Sequence, residues 1–313
     1  SLEVAMAAKN HGGIVIAQVE ELRNTPAHPH HVHVPGLFVD YVVVASSRKN
    51  HPHTLFVEYD PSFCGESQAD LSRELEPLPL NLEKIICRRA AMELRPGMAA
   101  NLGVGIPTGV ASVAHEQGFF DKVALTTEVG ALGGVPERGF NFGPAKNPQA
   151  IISQPQMFDF YHGQGLDATF VGLAQADAAG NVNVSRLGPK LIGSGGFIDI
   201  TQTAKKCVFC GEFTAGGLDA RAEDGQLVIH REGKAAKFVE NVDQITFSGR
   251  QAMRDGQEVI YVTERCVFRL VPEGMQLAEV APGVDIQRDL LVHMAFKPII
   301  PDSVPMMDAA IFQ

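Results

Sequence analysis

The stretch MAANLGVGIPTGVASVAHE, residues 98–116, decides the reading of the fold. Met98 to Leu102 is a strand-length run of small and apolar residues that feeds a glycine-rich turn at Gly103 and Gly105. Pro107 to His115 then reads as a helix, because a proline's fixed φ and missing N–H are tolerated in a helix's first turn. Strand, glycine turn and helix in that order form the repeating unit of an α/β architecture.

Working outward, the alternation continues. Val123–Thr127, Ala168–Gln175, Lys205–Phe209, Gln244–Phe247 and Val259–Thr263 read as strands, and Asp285–Phe296 as a helix closing the domain. Short apolar strands separated in this way predict an α/β fold with a mostly parallel sheet flanked by helices. Upstream, Asn81 caps a helix with Leu82, Ile85, Ile86 and Ala90 on one face, stopped at Arg95-Pro96-Gly97. Gly13–Val19 and Phe38–Val44 are strand-like. Between them and that helix lies a stretch with His51-Pro52-His53, Tyr59-Asp60-Pro61, Cys64-Gly65 and Glu76-Pro77-Leu78-Pro79, which reads as a long connection. No repeat of fixed period is found.

Composition narrows the function classes. The 313 residues, 45% of them hydrophobic, suffice for a sizeable core, which excludes bulk disorder. With 26 Lys+Arg against 36 Asp+Glu the net charge is −10, which disfavours nucleic acid and anionic membranes as partners. A phosphorylated ligand would therefore have to be held by local dipoles and a few cations. The longest apolar runs are strand-sized, so a membrane span is not expected. The N-terminal residues do not read as a secretory signal, and a start at Ser1 reads as a processed or truncated piece. Five cysteines, an odd number in a chain of this size, are expected to be reduced thiols in the cytoplasm. Cys207 and Cys210 have redox-motif spacing but lie in a run that reads as a buried strand, where they would face opposite sides of the sheet.

Three stretches can carry chemistry. The first is the loop at Gly103 and Gly105, whose backbone amides can receive a phosphate or oxyanion. Its G-x-G-x-x-x-G spacing is one residue longer than the dinucleotide fingerprint, so a plain strand-to-helix turn and a ligand loop both stay open. The second is TTEVGALGGVP, residues 126–136. Glu128 closes a strand, so its carboxylate projects at the carboxyl edge of the sheet, where α/β folds place ligands. As a catalyst it would act as a general base or attack an acyl carbon, the latter in a dry site with backbone donors facing the oxyanion. Gly130, Gly133 and Gly134 allow a substrate that close approach. The third is LIGSGGFIDI, residues 191–200, where Gly195 and Gly196 form either a turn or a bare surface for a thioester arm.

Other clusters read more simply. His28, His30, His31 and His33 have no carboxylate or thiol partner nearby in sequence and sit between Pro29 and Pro35, so they read as a loop and no metal site is expected. The Glu20-Glu21 and Lys205-Lys206 pairs read as solvated faces.

Taken together, NLGVGIP, TTEVGALGGVP and GSGGFIDI, in this order and at these separations, resemble the family I coenzyme A transferases, especially the single-chain acetate and propionate (acetoacetate) type. The likeness extends to GGIVIAQVE, VHVPGLFVDYVVV, YDPSF, GLDATFVGLAQAD and YVTERCVFRL. It implies the CoA-transferase (NagB/RpiA-like) fold and a ping-pong exchange of coenzyme A between a short-chain acyl-CoA and a free carboxylic acid. Glu128 would be the nucleophile and would carry a glutamyl-CoA thioester. Gly103, Gly105, Gly195 and Gly196 would line the coenzyme A groove, and Gly130 with Gly133 would shape the acyl pocket. Coenzyme A is a substrate, and no other cofactor is implied.

The resemblance also implies an organisation. Residues 1–47 match the tail of the family's first half, 48–80 a connecting segment and 81–313 the second half, which holds the catalytic glutamate. A second polypeptide would supply the missing N-terminal half, and completed protomers would form a homo-oligomer. Two other readings stand beside this one: a non-catalytic acyl-CoA-binding subunit, and a nicotinamide dehydrogenase using the 103–109 loop with Glu128 at the ribose.

Overall fold

The computed structural model describes residues 1–75 and 77–313; Glu76, part of the connecting stretch quoted above, lies outside the described residues. The chain divides into two compact units, Ser1–Asp60 and Pro61–Gln313.

The first unit contains helix α1 (Leu2–Asn10) and a parallel pair of strands, β1 (Ile16–Val19) and β2 (Tyr41–Val44), in register Ile16↔Tyr41. Both strands are shorter than the apolar runs that suggested them. Gly36–Phe38 instead forms a helical turn, and Asp40 is held by Lys9 Nζ at 2.6 Å and Val15 N at 2.8 Å.

The second unit is built on a nine-stranded sheet. Its strands are β3 (Ala99–Leu102), β4 (Ala124–Thr126), β5 (Ala131–Leu132), β6 (Ala150–Ile151), β7 (Ala168–Gly172), β8 (Lys206–Cys210), β9 (Glu258–Val262), β10 (Cys266–Val271) and β11 (Gly274–Val280). In space they run β11-β10-β9-β8-β7-β3-β4-β5-β6. Five consecutive neighbours, β4-β3-β7-β8-β9, are parallel, and antiparallel strands flank them on both sides. The chain goes from β3 out to β4 and then returns past β3 to lay down β7. This reversal opens a crevice at the carboxyl ends of β3 and β7, the place where such sheets bind ligands.

Helices cover both faces. Helix α2 (Leu82–Ala91) and α3 (Gly109–Glu116) pack with Ala100, Leu102, Leu125, Phe170, Val208 and Cys210 on one side. Helices α4 (Gln154–His162), α5 (Phe197–Gln202) and α6 (Gly249–Arg254) pack with Val171, Cys207, Phe209 and Tyr261 on the other. Phe170 against Val171 and Val208 against Phe209 show the two-residue period of strands buried on both faces. Cys207 and Cys210 therefore do face opposite sides, and burial pushes both thiols up, which makes them core residues. The α2 cap forms as expected, with Asn81 Oδ1 accepting from Lys84 N at 3.0 Å.

Two expected elements do not form. Gln244–Phe247 is not a strand; only Phe247 bridges to Val182, and both Thr246 N and Phe247 N donate to the Val182 carbonyl. Asp285–Phe296 is not an α-helix but a wide turn over Ile286–Leu290 followed by a tighter one over Leu291–His293. Lys206 also departs from its reading as a solvated charge: its ammonium lies 2.9 Å from Glu93 and 2.8 Å from Glu258. Among the described residues no helix is long and apolar enough to cross a membrane, and no group of three or more side chains could hold a metal.

Candidate active site

Strands β4 and β5 form a hairpin whose tip is residues 127–130. Thr127 N donates to Ala131 O at 3.0 Å, and Gly130 N returns to Thr127 O at 3.1 Å. This tight tip requires a glycine at 130: its φ is +118°, and a Cβ there would run into the carbonyl of Ile152. Glu128 sits on the tip, beyond the carboxyl end of β4, as its place after the strand predicts.

The loop before α5 approaches from the other side. A Cβ at Gly196 would overlap Glu128 Oε2 and lie 3.0 Å from its Cδ and 3.1 Å from Phe158 Cζ. The bare Cα of Gly196 is thus the surface on which the Glu128 carboxylate rests. Among the glycines singled out in the sequence, Gly196 brings its Cα against Glu128. Gly130 shapes the hairpin tip, and Gly133 packs against the Gln149 side chain. Gly105 and Gly195 each face open space. Gly103 begins the turn after β3, with its N–H donating to Phe170 O at 2.8 Å.

Electrostatically the carboxylate is half-buried, with no hydrogen bond or ion pair to any described residue. Burial raises its pKa above the ordinary glutamate value, and the negative charge of Asp199 adds to the rise. Asp199 lies in the first turn of α5 and is bound through Oδ1 to His162 Nε2 at 2.6 Å.

Beneath the hairpin lies a buried polar network that the sequence reading missed. Asn101 Nδ2 donates to Thr126 O at 3.3 Å and to the Tyr161 hydroxyl at 3.1 Å, and that hydroxyl lies 2.9 Å from Thr126 Oγ1. Burial pushes the Tyr161 phenol up to about 12, against the lowering effect of Thr126 and Asn101, and the Glu128 charge adds to the rise. The phenol is therefore neutral and acts as a hydrogen-bonding post under the carboxyl end of β4. One signal was present: Asn101 is a polar residue in the middle of an apolar strand, and a buried amide needs partners. Nothing in the sequence points to Tyr161, which comes from α4.

No family model matches the chain. It is 48% identical to a caffeate CoA-transferase of Acetobacterium woodii, over 99% of this chain and 60% of that protein. It is 42% identical to the acetate CoA-transferase YdiF of Escherichia coli O157:H7, over 100% of this chain and 58% of that one. Along its whole length the chain is homologous to family I coenzyme A transferases. A crystal structure of the Escherichia coli O157:H7 acyl-CoA transferase in a thioester complex with CoA superposes with a TM-score of 0.89 at 40% identity, covering 100% of this chain and 58% of that one. The α/β CoA-transferase fold is thereby established. The chain spans about 60% of the length of these relatives. In them the remaining length lies on the same polypeptide, so the expected second polypeptide carrying an N-terminal half is not supported.

Proposed function

We propose that this protein provides the glutamate-bearing part of an enzyme that moves coenzyme A between an acyl-CoA and a free carboxylic acid. The observation that carries the reading is the Glu128 carboxylate, unpaired at the carboxyl edge of the sheet and resting on the bare Cα of Gly196. A carboxylate bound to no neighbouring cation keeps its electron pair for attack, and partial burial weakens its hydration.

The steps balance without an outside reagent. A Glu128 oxygen attacks the acyl-CoA carbonyl carbon, the C–S bond breaks, and coenzyme A leaves as thiolate. The thiolate attacks the glutamyl carbonyl of the mixed anhydride, giving the glutamyl-CoA thioester and releasing the first acid as carboxylate. A second carboxylate attacks that thioester and the sequence reverses, yielding the new acyl-CoA. One thioester replaces another, so neither ATP nor a redox cofactor is consumed, and coenzyme A is itself a substrate. In this reading Gly103, Gly105 and Gly195 border the coenzyme A groove, while Gly130 and Gly133 hold the hairpin that shapes the acyl pocket.

Residues 1–47 are read as the tail of a first half, 48–80 as the connection and 81–313 as the second half, in completed protomers that form a homo-oligomer. The acid is of the short-chain class, acetate, propionate or acetoacetate, as the motif resemblance implies. A relative named a caffeate CoA-transferase is the reason to include an aromatic acid in the same trial. Five free thiols fit a reducing, cytoplasmic setting.

Incubation of the complete enzyme with acyl-CoA, followed by borohydride, tests the reading. A thioester on Glu128 is reduced to the alcohol and the peptide mass shifts accordingly, while Glu128→Gln abolishes both the shift and turnover. An unmodified Glu128 peptide would favour the acyl-CoA-binding subunit. Protection by NAD and not by coenzyme A in a thermal-shift assay would favour the dehydrogenase.

A further inference from the structure

The carboxyl edge carries a second set of ionisable groups, farther along it, at the ends of β7 and β8. Gly211 and Leu173 directly follow β8 and β7, and Lys237 reaches across both strand ends. Its Nζ lies 3.1 Å from where a Gly211 Cβ would stand and 3.4 Å from the Leu173 carbonyl oxygen. That long bond is its one hydrogen bond among the described residues, although an ammonium has three donors. Burial lowers its pKa, and Glu212 and Glu264 counter that.

The surrounding charges differ in a telling way. Glu264 is fully buried with both oxygens engaged, Oε2 by Phe213 N at 2.8 Å and Oε1 by Arg265 Nε at 2.6 Å. Arg265 in turn binds Glu232 and the Asp289 carbonyl. Glu212, half-buried beside Lys237, has no hydrogen bond or ion pair to any described residue. Burial raises its pKa, the Glu264 charge adds to the rise, and Lys237 opposes it. An unpaired cation and an unpaired carboxyl thus stand side by side, each with its charged form disfavoured by burial and neither closing on the other. A structural ion pair would have closed; groups held open at this edge are placed for a ligand.

Distance selects which part of the ligand. Lys237 stands over the β7–β8 boundary and Glu128 over β4, about two and a half strand spacings of ~4.8 Å, or roughly 12 Å, apart. An acetate- or propionate-sized group on Glu128 cannot span that. The pantetheine arm, with roughly a dozen bonds of about 1.2 Å projected length between its sulfur and its phosphate, can. The path passes over the end of β3, where Gly105 faces open space, and along the crevice between β3 and β7.

We propose that Lys237 and Glu212 form the subsite for the phosphopantetheine end of coenzyme A. Lys237 Nζ donates to the phosphate that closes the arm, and Glu212 accepts a hydrogen bond from the pantoyl hydroxyl a few bonds away. This rests on the transferase reading above. It adds a cation for the phosphate in a protein of net charge −10, where general electrostatics would repel it.

The test compares kcat/KM of the complete enzyme for acetyl-pantetheine, acetyl-4′-phosphopantetheine and acetyl-CoA. Turnover by the parent enzyme tests the transferase reading; the pattern among the variants tests the subsite. Lys237→Gln is expected to lower kcat/KM for the two phosphorylated donors by roughly 10- to 100-fold, the worth of a charge-assisted hydrogen bond, and to leave acetyl-pantetheine unchanged. Lys237→Arg is expected to restore most of the loss, and Glu212→Ala to lower all three donors together, since all carry the hydroxyl. An equal loss on all three donors in Lys237→Gln, or no loss, overturns the proposal. Should that variant fail to fold, the parent decides: it must prefer acetyl-4′-phosphopantetheine to acetyl-pantetheine by at least about 10-fold, and equal use of the two refutes the subsite.

Discussion

Gly196→Ala separates the role of the bare Cα from any role in holding the fold. An added Cβ would stand 3.0 Å from Glu128 Cδ, whereas an ordinary carbon–carbon contact is about 3.7 Å. The carboxylate must therefore retreat by roughly 0.7 Å, before the closer overlap with Oε2 is counted. A displacement of about 1 Å costs a positioned reaction roughly 100-fold, so kcat/KM should fall by a few tens of fold up to about 100-fold. Stability should not follow. Gly196 has φ −78° and ψ 0°, a conformation alanine adopts freely, and the smaller unfolded-state entropy of alanine is worth about 0.4–1 kcal/mol. The Phe158 ring, 3.1 Å from the new methyl, offsets part of that gain. The assay pairs acyl exchange with thermal unfolding on the same preparation. Full activity in Gly196→Ala would show that Glu128 does not work from this position; a loss of activity that merely parallels a loss of folded protein would also defeat the argument.

Two further predictions concern what lies beneath the site. Tyr161→Phe removes the hydroxyl shared by Asn101 and Thr126, and leaving those buried groups unsatisfied should cost about 1–3 kcal/mol in urea unfolding; an unchanged midpoint would mean that the network does not anchor β4. Glu93 is bound by Arg89 Nη1 at 2.8 Å and Lys206 Nζ at 2.9 Å, and Arg89 also holds Glu279. Burial alone would raise the Glu93 pKa, but the ion pairs with Lys206 and Arg89 outweigh it and hold the carboxyl below its ordinary value. Its folded pKa lies below its unfolded one, so its stabilisation is present at neutral pH and is lost as pH falls through the folded pKa. Glu93→Gln should therefore be destabilised at pH 7 by about 3–5 kcal/mol, the cost of breaking a buried pair, with the gap from the parent narrowing in acid. A gap that stays constant down to pH 3 would refute the linkage.

The two elements that the sequence misread fail for a common reason. Gln244-Ile245-Thr246-Phe247 alternates like a strand, yet Ile245 is exposed, and the segment exists to bring Thr246 and Phe247 onto Val182. Residues 285–296 carry helical spacing, but Leu290, Met294 and Phe296 all pack on the core that Val171, Cys207, Phe209 and Tyr261 help form, and Ala295 N bonds the Phe238 carbonyl, which requires the chain to extend after His293. In both places a side chain's tertiary partner outweighed the local period. The strand at Lys206–Cys210, the α2 cap and the β3 turn were legible because buried apolar runs, a capping side chain and glycines act within a few residues of themselves.

By itself the sequence determined the strand–turn–helix unit at 98–116, the strands β4, β7, β8 and β9, the opposite facing of Cys207 and Cys210, and the placement of Glu128 at a carboxyl strand end. Each of these follows from periodicity or local backbone chemistry. Only the tertiary structure decided that β7 returns beside β3, that Gly196 lies against the Glu128 carboxylate, that Tyr161 stands under the hairpin and that Lys237 and Glu212 remain unpaired at the same edge. Those are contacts between segments far apart in the chain. They are fixed by which faces the two cores bury together, and no local pattern of residues records that.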